Sequence, residues 1–564
     1  MSDGRHNLVV WIAALMALLF FALAVRFLSP SDIYDNDQST PISHIADVAF
    51  NGHWLMQRST EGILATKPPM VPWLGAIAVH ATGRTNEWTY KLPVILAFVV
   101  VTMVVFDWAR RAAGVAVATV AAAIWIANYH VFKLMYTART DMLLAMWITL
   151  GLWSVQRQRQ LWQVDAEQAG AEAAWRQPVL ILMFGVTVGA GLLTKGPPAL
   201  IPIAWLIGVV AWDRAWRRCR PVWQVSGALL AVAMLLAWLV PVLAAYPQWA
   251  DNINVEVFER ITGTGSGAHR QTSFLSIPAY FLARFQPWSV LFAAAALLWW
   301  FDRREPEGLM PWWPLFWVCM ILLVFTIPRG KRADYILPAY PAAAMLIAAL
   351  IGHAQSRGGW HRLVVHVVLG GAAIAGIVCA LACPWLPRPQ DVPLQPEATA
   401  EAAVWNPAFV KFSCGAAALI AAPVSLWLVH RRRYVGGAMA CCFVLVATLG
   451  IYQSTLSRAA TTRRGDAIIA LAQTARSVSR REGVEVICDG TASKRFAALL
   501  GFHRLDQDVV LHTYDEGAVL LIGLEQWETQ KGRFEGRASV ILRSDSRAKP
   551  GRRYVLALVE AQGQ

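Results

Sequence analysis

Tyr34 to Trp73 reads YDNDQSTPISHIADVAFNGHWLMQRSTEGILATKPPMVPW, a polar stretch of about forty residues that follows one hydrophobic segment in a chain otherwise rich in apolar runs. It holds acids at Asp35, Asp37 and Asp47, a lone base at Lys67 ahead of two prolines, and aromatics at Tyr34, Trp54 and Trp73. A tether between two membrane helices can be short and featureless. A long loop carrying acids, a cation and amphipathic segments reads instead as an active-site loop laid on a membrane surface.

The rest of the chain explains why a membrane is expected. Of 564 residues, 57% are hydrophobic and 15% charged, with a mean hydropathy of +0.44. Apolar runs long enough to cross a hydrocarbon core of roughly 30 Å recur along most of the length. Spanning segments are expected near 8–28, 91–108, 113–131, 141–155, 178–194, 198–212, 224–244, 287–301, 311–327, 338–353, 363–384, 411–430 and 435–452, about thirteen in all. The first lacks a small-residue cleavage site and reads as a retained helix.

The net charge of +14 does not point to nucleic acid, because the basic residues cluster in short loops between apolar runs. With the N-terminus cytoplasmic, the interior loops are those holding Arg110-Arg111, Arg157 to Arg176, Arg214 to Arg220, Arg303-Arg304, Arg357 to Arg362 and Arg431 to Arg433. Six loops agree with the positive-inside rule. An odd number of spans then places the tail outside, on the face opposite the arginine-rich loops. The domains expected are 1–455 in the membrane and 456–564 in solution. In that tail VEVICDG, DVVLHTY, AVLLIG, ASVILR and YVLALVE look like strands, while Thr462 to Arg481 and Ser493 to His503 look helical, which together suggest a small α/β domain. It fits either acceptor recognition or simple capping of the outer face. Segment 156–177, with Trp162 and Trp175, reads as an interfacial helix. The 27 tryptophans mostly fit interfacial belts, although Trp54 and Trp73 could also stack on a sugar.

Eight cysteines show no metal or redox spacing and read as small buried hydrophobes. Cys383 and Cys414 could meet at the ends of two adjacent helices.

Isolated charges gather on the expected outer side: Asp37, Lys67, Arg139, Asp141, Lys195, Arg260, His269, Arg270, Arg329, Lys331 and Arg332. Singly, each is a snorkelling anchor or half of an ion pair. Jointly they run against the topological bias, and cations collected there suit an anion such as a lipid phosphate. When a sugar leaves a phosphate, positive charge stabilises the departing group, and a carboxylate can take the proton of the incoming hydroxyl. Asp37 is the better candidate for that base. Asp141, at a helix start, could equally serve as a cap or dipole partner. If the acceptor were itself a phosphate, no strong base would be needed, and Asp37 would act by orientation.

GHW at 52–54, KPPMVPWL at 67–74, ARTDMLLA at 138–145, LLTKGPP at 192–198 and PRGKRADYILPAYP at 328–341 follow an acid in the first outer loop. In that order they resemble the lipid-linked-sugar glycosyltransferases of the GT-C superfamily, nearest the aminoarabinose transferases that modify lipid A and the related protein O-mannosyltransferases. The resemblance covers roughly residues 8 to 350. It implies a polytopic α-helical membrane protein that transfers a sugar, with inversion, from a polyprenyl-phosphate carrier to an envelope lipid, glycan or protein. By the same resemblance the first-loop acid is Asp37, Lys67 contacts the donor phosphate, and Asp141 with Arg139 is the second conserved turn. Lys195 is the TKG lysine, Lys331 and Tyr335 the late lysine-tyrosine motif, and Arg260 and His269 the basic residue and histidine of the middle loop. Lys67, Arg139, Lys195 and Lys331 would then hold the carrier phosphate, with Asp141 positioning partners.

The family has Asp-Glu where this chain has Asp37-Gln38, Glu-Lys-Pro-Pro where it has Thr66 to Pro69, and SKGKLPTYILP where it has PRGKRADYILP. Two acids near the donor pocket are thereby replaced. A divalent ion held there would lose a ligand, so no stable metal is expected and no cofactor ligand set stands out. A transporter or flippase of a lipid-linked sugar is the main rival, but it calls for charges within the spans rather than at their ends. A scaffold that merely displays the tail is a third reading.

Overall fold

A computed structural model of the chain describes residues 2–29, 36–59, 63–163, 166–212, 221–264, 272–302, 313–357, 359–386, 407–456, 471, 474–475, 477–488, 517–534, 536–543 and 554–560. Tyr34, Asp35, His269, Arg270, the strand expected at DVVLHTY and the helix expected at Ser493 to His503 lie outside these residues. So do the arginine-rich loops at 214–220 and 303–304. The backbone is helical over most of 156–177, but the side chains of Trp162 and Trp175 fall outside the description.

Helix α1 spans Ser2–Phe27. The polar stretch that follows is not a loose loop: Asn36–Asn51 forms α2 and Met70–Thr82 forms α3. Ile42, Ile45, Val48 and Ala49 of α2 are buried at helical spacing while Asp37 stays exposed, so the amphipathic reading of this segment holds. Gly75 lets α2 and α3 approach closely, since a Cβ there would lie 2.5 Å from Cδ1 of Ile45.

Helix α4, Glu87–Ile126, is broken at Gly114, where φ is 81° and ψ 173°. Only glycine adopts such a backbone without strain, and the break divides one long apolar helix into the two segments expected on either side of Arg110-Arg111. Then come α5 (Tyr129–Leu134), α6 (Thr140–Gln163), α7 (Ala166–Lys195), α8 (Ile201–Trp212) and α9 (Pro221–Ala245). Short turns at Ala250–Ile253 and Arg260–Thr262, α10 and α11, precede α12 (Ser276–Arg284), α13 (Trp288–Asp302), α14 (Trp313–Thr326), α15 (Tyr340–Ser356) and α16 (Trp360–Ala382). The last long helices are α17 (Pro407–His430) and α18 (Tyr434–Thr455).

Every one of the thirteen expected segments falls on a helix. By length and composition alone, eight helices among the described residues can cross a membrane, or nine if the pair α12 and α13, bent by 114°, forms one span. The larger number counts α4 twice and includes α6, whose ends carry Asp141, Arg157 and Arg159, and the shorter apolar helices α8 and α14. Helix α15 sits at the centre, buried from Tyr340 to Ile351 without interruption. That is the environment of a helix apolar on every side. Helices α9, α16 and α17 instead present Leu229, Val240, Val367, Val378 and Ile420 outward, as a lipid-facing surface does.

The tail contains a four-stranded mixed sheet in the order β1-β2-β4-β3, with β1 (Glu485–Cys488), β2 (Ala518–Gly523), β3 (Ala538–Arg543) and β4 (Tyr554–Val559). β1 runs parallel to β2, and β4 antiparallel to both β2 and β3. Every residue of AVLLIG is buried, because Leu471, Ala475 and Val478 cover one face of the sheet and Trp527 the other. Four of the five expected strands are thus present, and a short helix that the sequence did not suggest, Leu524–Gln530, supplies Trp527.

Candidate active site

The TKGPP motif ends α7 on Lys195. Gly196, at φ 74°, lets the backbone leave the helix at once, and Pro197 and Pro198 open the next turn. Lys195 therefore projects from a helix terminus. It meets Asp141 in the first turn of α6, and the two side chains form a close ion pair. The Lys195 ammonium also lies 4.5 Å from the ring centre of Tyr335.

Arg139 precedes α6 in a tight turn, in which its backbone N–H donates to the Thr137 carbonyl at 2.7 Å. The side-chain carbonyl of Gln38 accepts from the Ala138 N–H at 3.2 Å, tying α2 to the same turn. From there the Arg139 guanidinium reaches three carboxylates: Asp334 at 2.8 Å, Asp141 at 3.4 Å and Asp37 at 4.0 Å. Burial works against its charge, yet Asp141, Asp334 and Asp37 outweigh burial and raise its pKa above the ordinary arginine value. Arg332 approaches Asp37 from the other side at 3.7 Å. Asp37 itself is half exposed, at 49% of its side-chain surface.

Behind Asp334 stands a fully buried histidine. His130 Nε2 is 2.9 Å from Asp334 Oδ1, and its Nδ1 is 3.3 Å from the Tyr340 hydroxyl. Asn128 caps the short helix that carries His130, accepting from the Val131 N–H at 2.9 Å.

Lys331 differs from its neighbours. Only 6% of it is exposed, and among the described residues it has neither an ion pair nor a hydrogen-bond partner. Burial pushes its ammonium below the usual lysine range. It directly precedes Arg332, in a loop whose residue Arg329 receives backbone hydrogen bonds from the middle segment: the Thr272 N–H donates to its carbonyl, and its own N–H donates to the carbonyl of Ile261.

Between α2 and α3, residues 52–59 and 63–69 form a strap fixed by three indoles. Trp73 donates to the Trp54 carbonyl at 2.6 Å, Trp238 to that of Leu55 at 2.9 Å and Trp249 to that of Ala65 at 2.8 Å. Buried Asp47 secures the start of the strap, accepting from the Arg58 N–H at 2.7 Å and the Asn51 amide at 2.8 Å, and pairing with His53 at 2.9 Å. Trp73 is thus an anchor of the strap, and Trp54, stacked near His80, stays exposed. Lys67 is exposed two residues beyond the Ala65 anchor. Trp249→Phe keeps an aromatic ring but removes the donor to Ala65. It should destabilise the fold by about 1–3 kcal/mol and speed protease cleavage within the strap several-fold. An unchanged cleavage rate would show that the indole bond does not fix the strap.

Of the residues the sequence singled out, Asp37, Arg139, Asp141, Lys195 and Tyr335 converge, with Lys331 one residue from Arg332. Arg260 has its backbone in α11, its side chain falls outside the description, and His269 lies outside the described residues altogether. Sequence reasoning missed Asp334, His130 and Tyr340. Among the described residues no group of three or more histidines, cysteines or acids is placed to hold a metal ion. Cys383 and Cys414 are buried free thiols on adjacent helix ends.

A family model described as dolichyl-phosphate-mannose-protein mannosyltransferase matches residues 66–244. The crystal structure of ArnT from Cupriavidus metallidurans bound to undecaprenyl phosphate superimposes with a TM-score of 0.67 at 19% identity, covering 99% of this chain and 98% of that one. The chain has the GT-C fold. Among curated proteins it is 26% identical over 348 residues to the undecaprenyl phosphate-alpha-4-amino-4-deoxy-L-arabinose arabinosyl transferase 2 of Proteus mirabilis, covering 61% of this chain and 60% of that one. It is also 26% identical over 383 residues to the corresponding transferase of Aeromonas salmonicida, covering 66% of this chain and 65% of that one. These matches span a little under two thirds of each relative's length. The segment matched by the family model contains Lys67, Arg139, Asp141 and Lys195.

Proposed function

We propose that the chain is an inverting glycosyltransferase of the inner membrane, moving a pentose or hexose from a polyprenyl-phosphate carrier to an envelope lipid, glycan or protein. Lys331 carries this reading: a lysine only 6% exposed, with no ion pair or hydrogen bond among the described residues, set beside a cationic cluster, suits an anion. In a site reached from lipid, the phosphate of a lipid carrier is the anion that fits. Arg139 and Lys195 would complete the phosphate contacts, with Tyr335 fixing Lys195, and Lys67 would reach in from the strap. Asp37 faces the open side of the cluster, where an acceptor hydroxyl can approach it. The similarity to arabinosyl transferases supports the same chemistry. The charges lie at helix ends rather than mid-span, which favours transfer over transport. In this reading the N-terminus is cytoplasmic, residues 1–455 form the catalytic unit, and 456–564 form a periplasmic domain.

The reading is tested by mass spectrometry of envelope glycolipids and glycoproteins from host cells with and without the chain. One sugar mass should disappear from an acceptor while its lipid-linked donor accumulates. Identical glycans in both cells would end the proposal.

Lys331 adds a pH signature. Its ammonium is lost as pH rises through its lowered pKa, so affinity for undecaprenyl phosphate should fall at a lower pH than an ordinary lysine would allow. Lys331→Arg, whose charge persists, should keep binding at that pH. If wild type and variant lose affinity together, Lys331 does not hold the phosphate.

A further inference from the structure

We infer that His130 is a positioning residue for Arg139, acting through Asp334; the inference rests on the reading that Arg139 contacts the carrier phosphate. Nothing in the motifs pointed to this histidine, yet both of its nitrogens are committed. Asp334 accepts, so Nε2 carries the proton at 2.9 Å from Oδ1. A neutral ring then leaves Nδ1 to accept from the Tyr340 hydroxyl at 3.3 Å. Tyr340 is buried completely and packed against Phe281 and Phe285 with ring centres 5.6 and 4.9 Å away. The hydroxyl selects the tautomer, and the tautomer orients the carboxylate.

Orientation matters because Asp334 divides its oxygens. Oδ1 takes the histidine and Oδ2 takes Arg139 at 2.8 Å. This is the shortest of the three contacts Arg139 makes with acids; Asp141 and Asp37 stand at 3.4 and 4.0 Å. Asp334 therefore sets the direction of the guanidinium more firmly than either Asp141 or Asp37. A carboxylate bonded only to arginine could rotate about its side-chain torsions and carry the arginine with it. Tied to a buried histidine, it cannot. The arrangement follows the rule that a charged group in a site is aimed by the partner of its partner.

The test uses the purified full-length chain in detergent, with undecaprenyl phosphate as probe and undecaprenol as the phosphate-free control. His130→Phe should weaken binding of the phosphate form about tenfold, the scale of one misdirected charge-assisted contact, without changing binding of the alcohol. Arg139→Lys should weaken it at least as much. Because the histidine acts through the arginine, adding His130→Phe to Arg139→Lys should cost little more. Multiplying losses in the double variant, or wild-type binding by His130→Phe, overturns the inference. Tyr340→Phe, which removes one oxygen from a packed aromatic cluster, guards against a folding artefact and should weaken binding two- to threefold; no effect also counts against the inference. If Arg139→Lys and wild type bind equally, the phosphate reading of Arg139 falls instead.

Discussion

Arg139→Met should reduce sugar transfer by about a hundredfold to a thousandfold, the cost of removing one preorganised charge from a developing anion. It should also be the most destabilising single change in the site. The guanidinium sits among Asp37, Asp141 and Asp334 and is 14% exposed. Removing it leaves three carboxylates close together. Asp141 keeps Lys195, Asp334 keeps His130, and Asp37 keeps Arg332 at 3.7 Å. Breaking a largely buried ion pair on one side costs about 3–5 kcal/mol, so thermal unfolding in detergent should shift together with activity. Arg139→Lys separates the two effects. It restores the charge but not the fork that serves three acids, and should recover most of the stability and little of the rate. Arg139→Met turnover within about twofold of wild type, at matched folded protein, would remove Arg139 from the site.

How much of this was legible in the sequence depends on the kind of signal. The helices were, because apolar runs of spanning length leave few alternatives. Asp37, Arg139, Asp141 and Lys195 were visible as charges at helix ends, where each needs a reason. Asp334 is just as charged, but it sits among Arg329, Lys331 and Arg332 and passes as their counterion. The signal that could have found it is its replacement of a threonine in an otherwise similar motif. His130 gives weaker notice still. In ANYHVFKL it is a lone histidine at the end of an apolar run, and such residues usually satisfy themselves within a core. Only the geometry shows its two nitrogens bound to different elements. The strap anchors were hidden for another reason. An indole donating to a carbonyl nearly two hundred residues away, as Trp249 does to Ala65, leaves no periodic trace. The tryptophans that read as a membrane belt include several that fasten the loop instead.

Asp37→Asn is the sharper test of the chemistry, because its structural cost is small. Asp37 is half exposed and its contacts to Arg332 and Arg139 are 3.7 and 4.0 Å long, so the pair energies are those of a surface bridge, about 0–1 kcal/mol. Asparagine preserves the shape and removes the charge and the ability to take a proton. If Asp37 is the general base for an acceptor hydroxyl, turnover should fall about a hundredfold to ten-thousandfold, while binding of undecaprenyl phosphate and the unfolding temperature stay near wild type. If the acceptor is a phosphate, already ionised near neutral pH, no base is needed, Asp37 acts only by holding Arg139 and Arg332 in place, and the loss should be less than about tenfold. The two outcomes therefore classify the acceptor before it is identified. Full activity in the variant would leave Asp37 with neither role, and the nucleophile would have to be activated from a part of the site that Asp37 does not face.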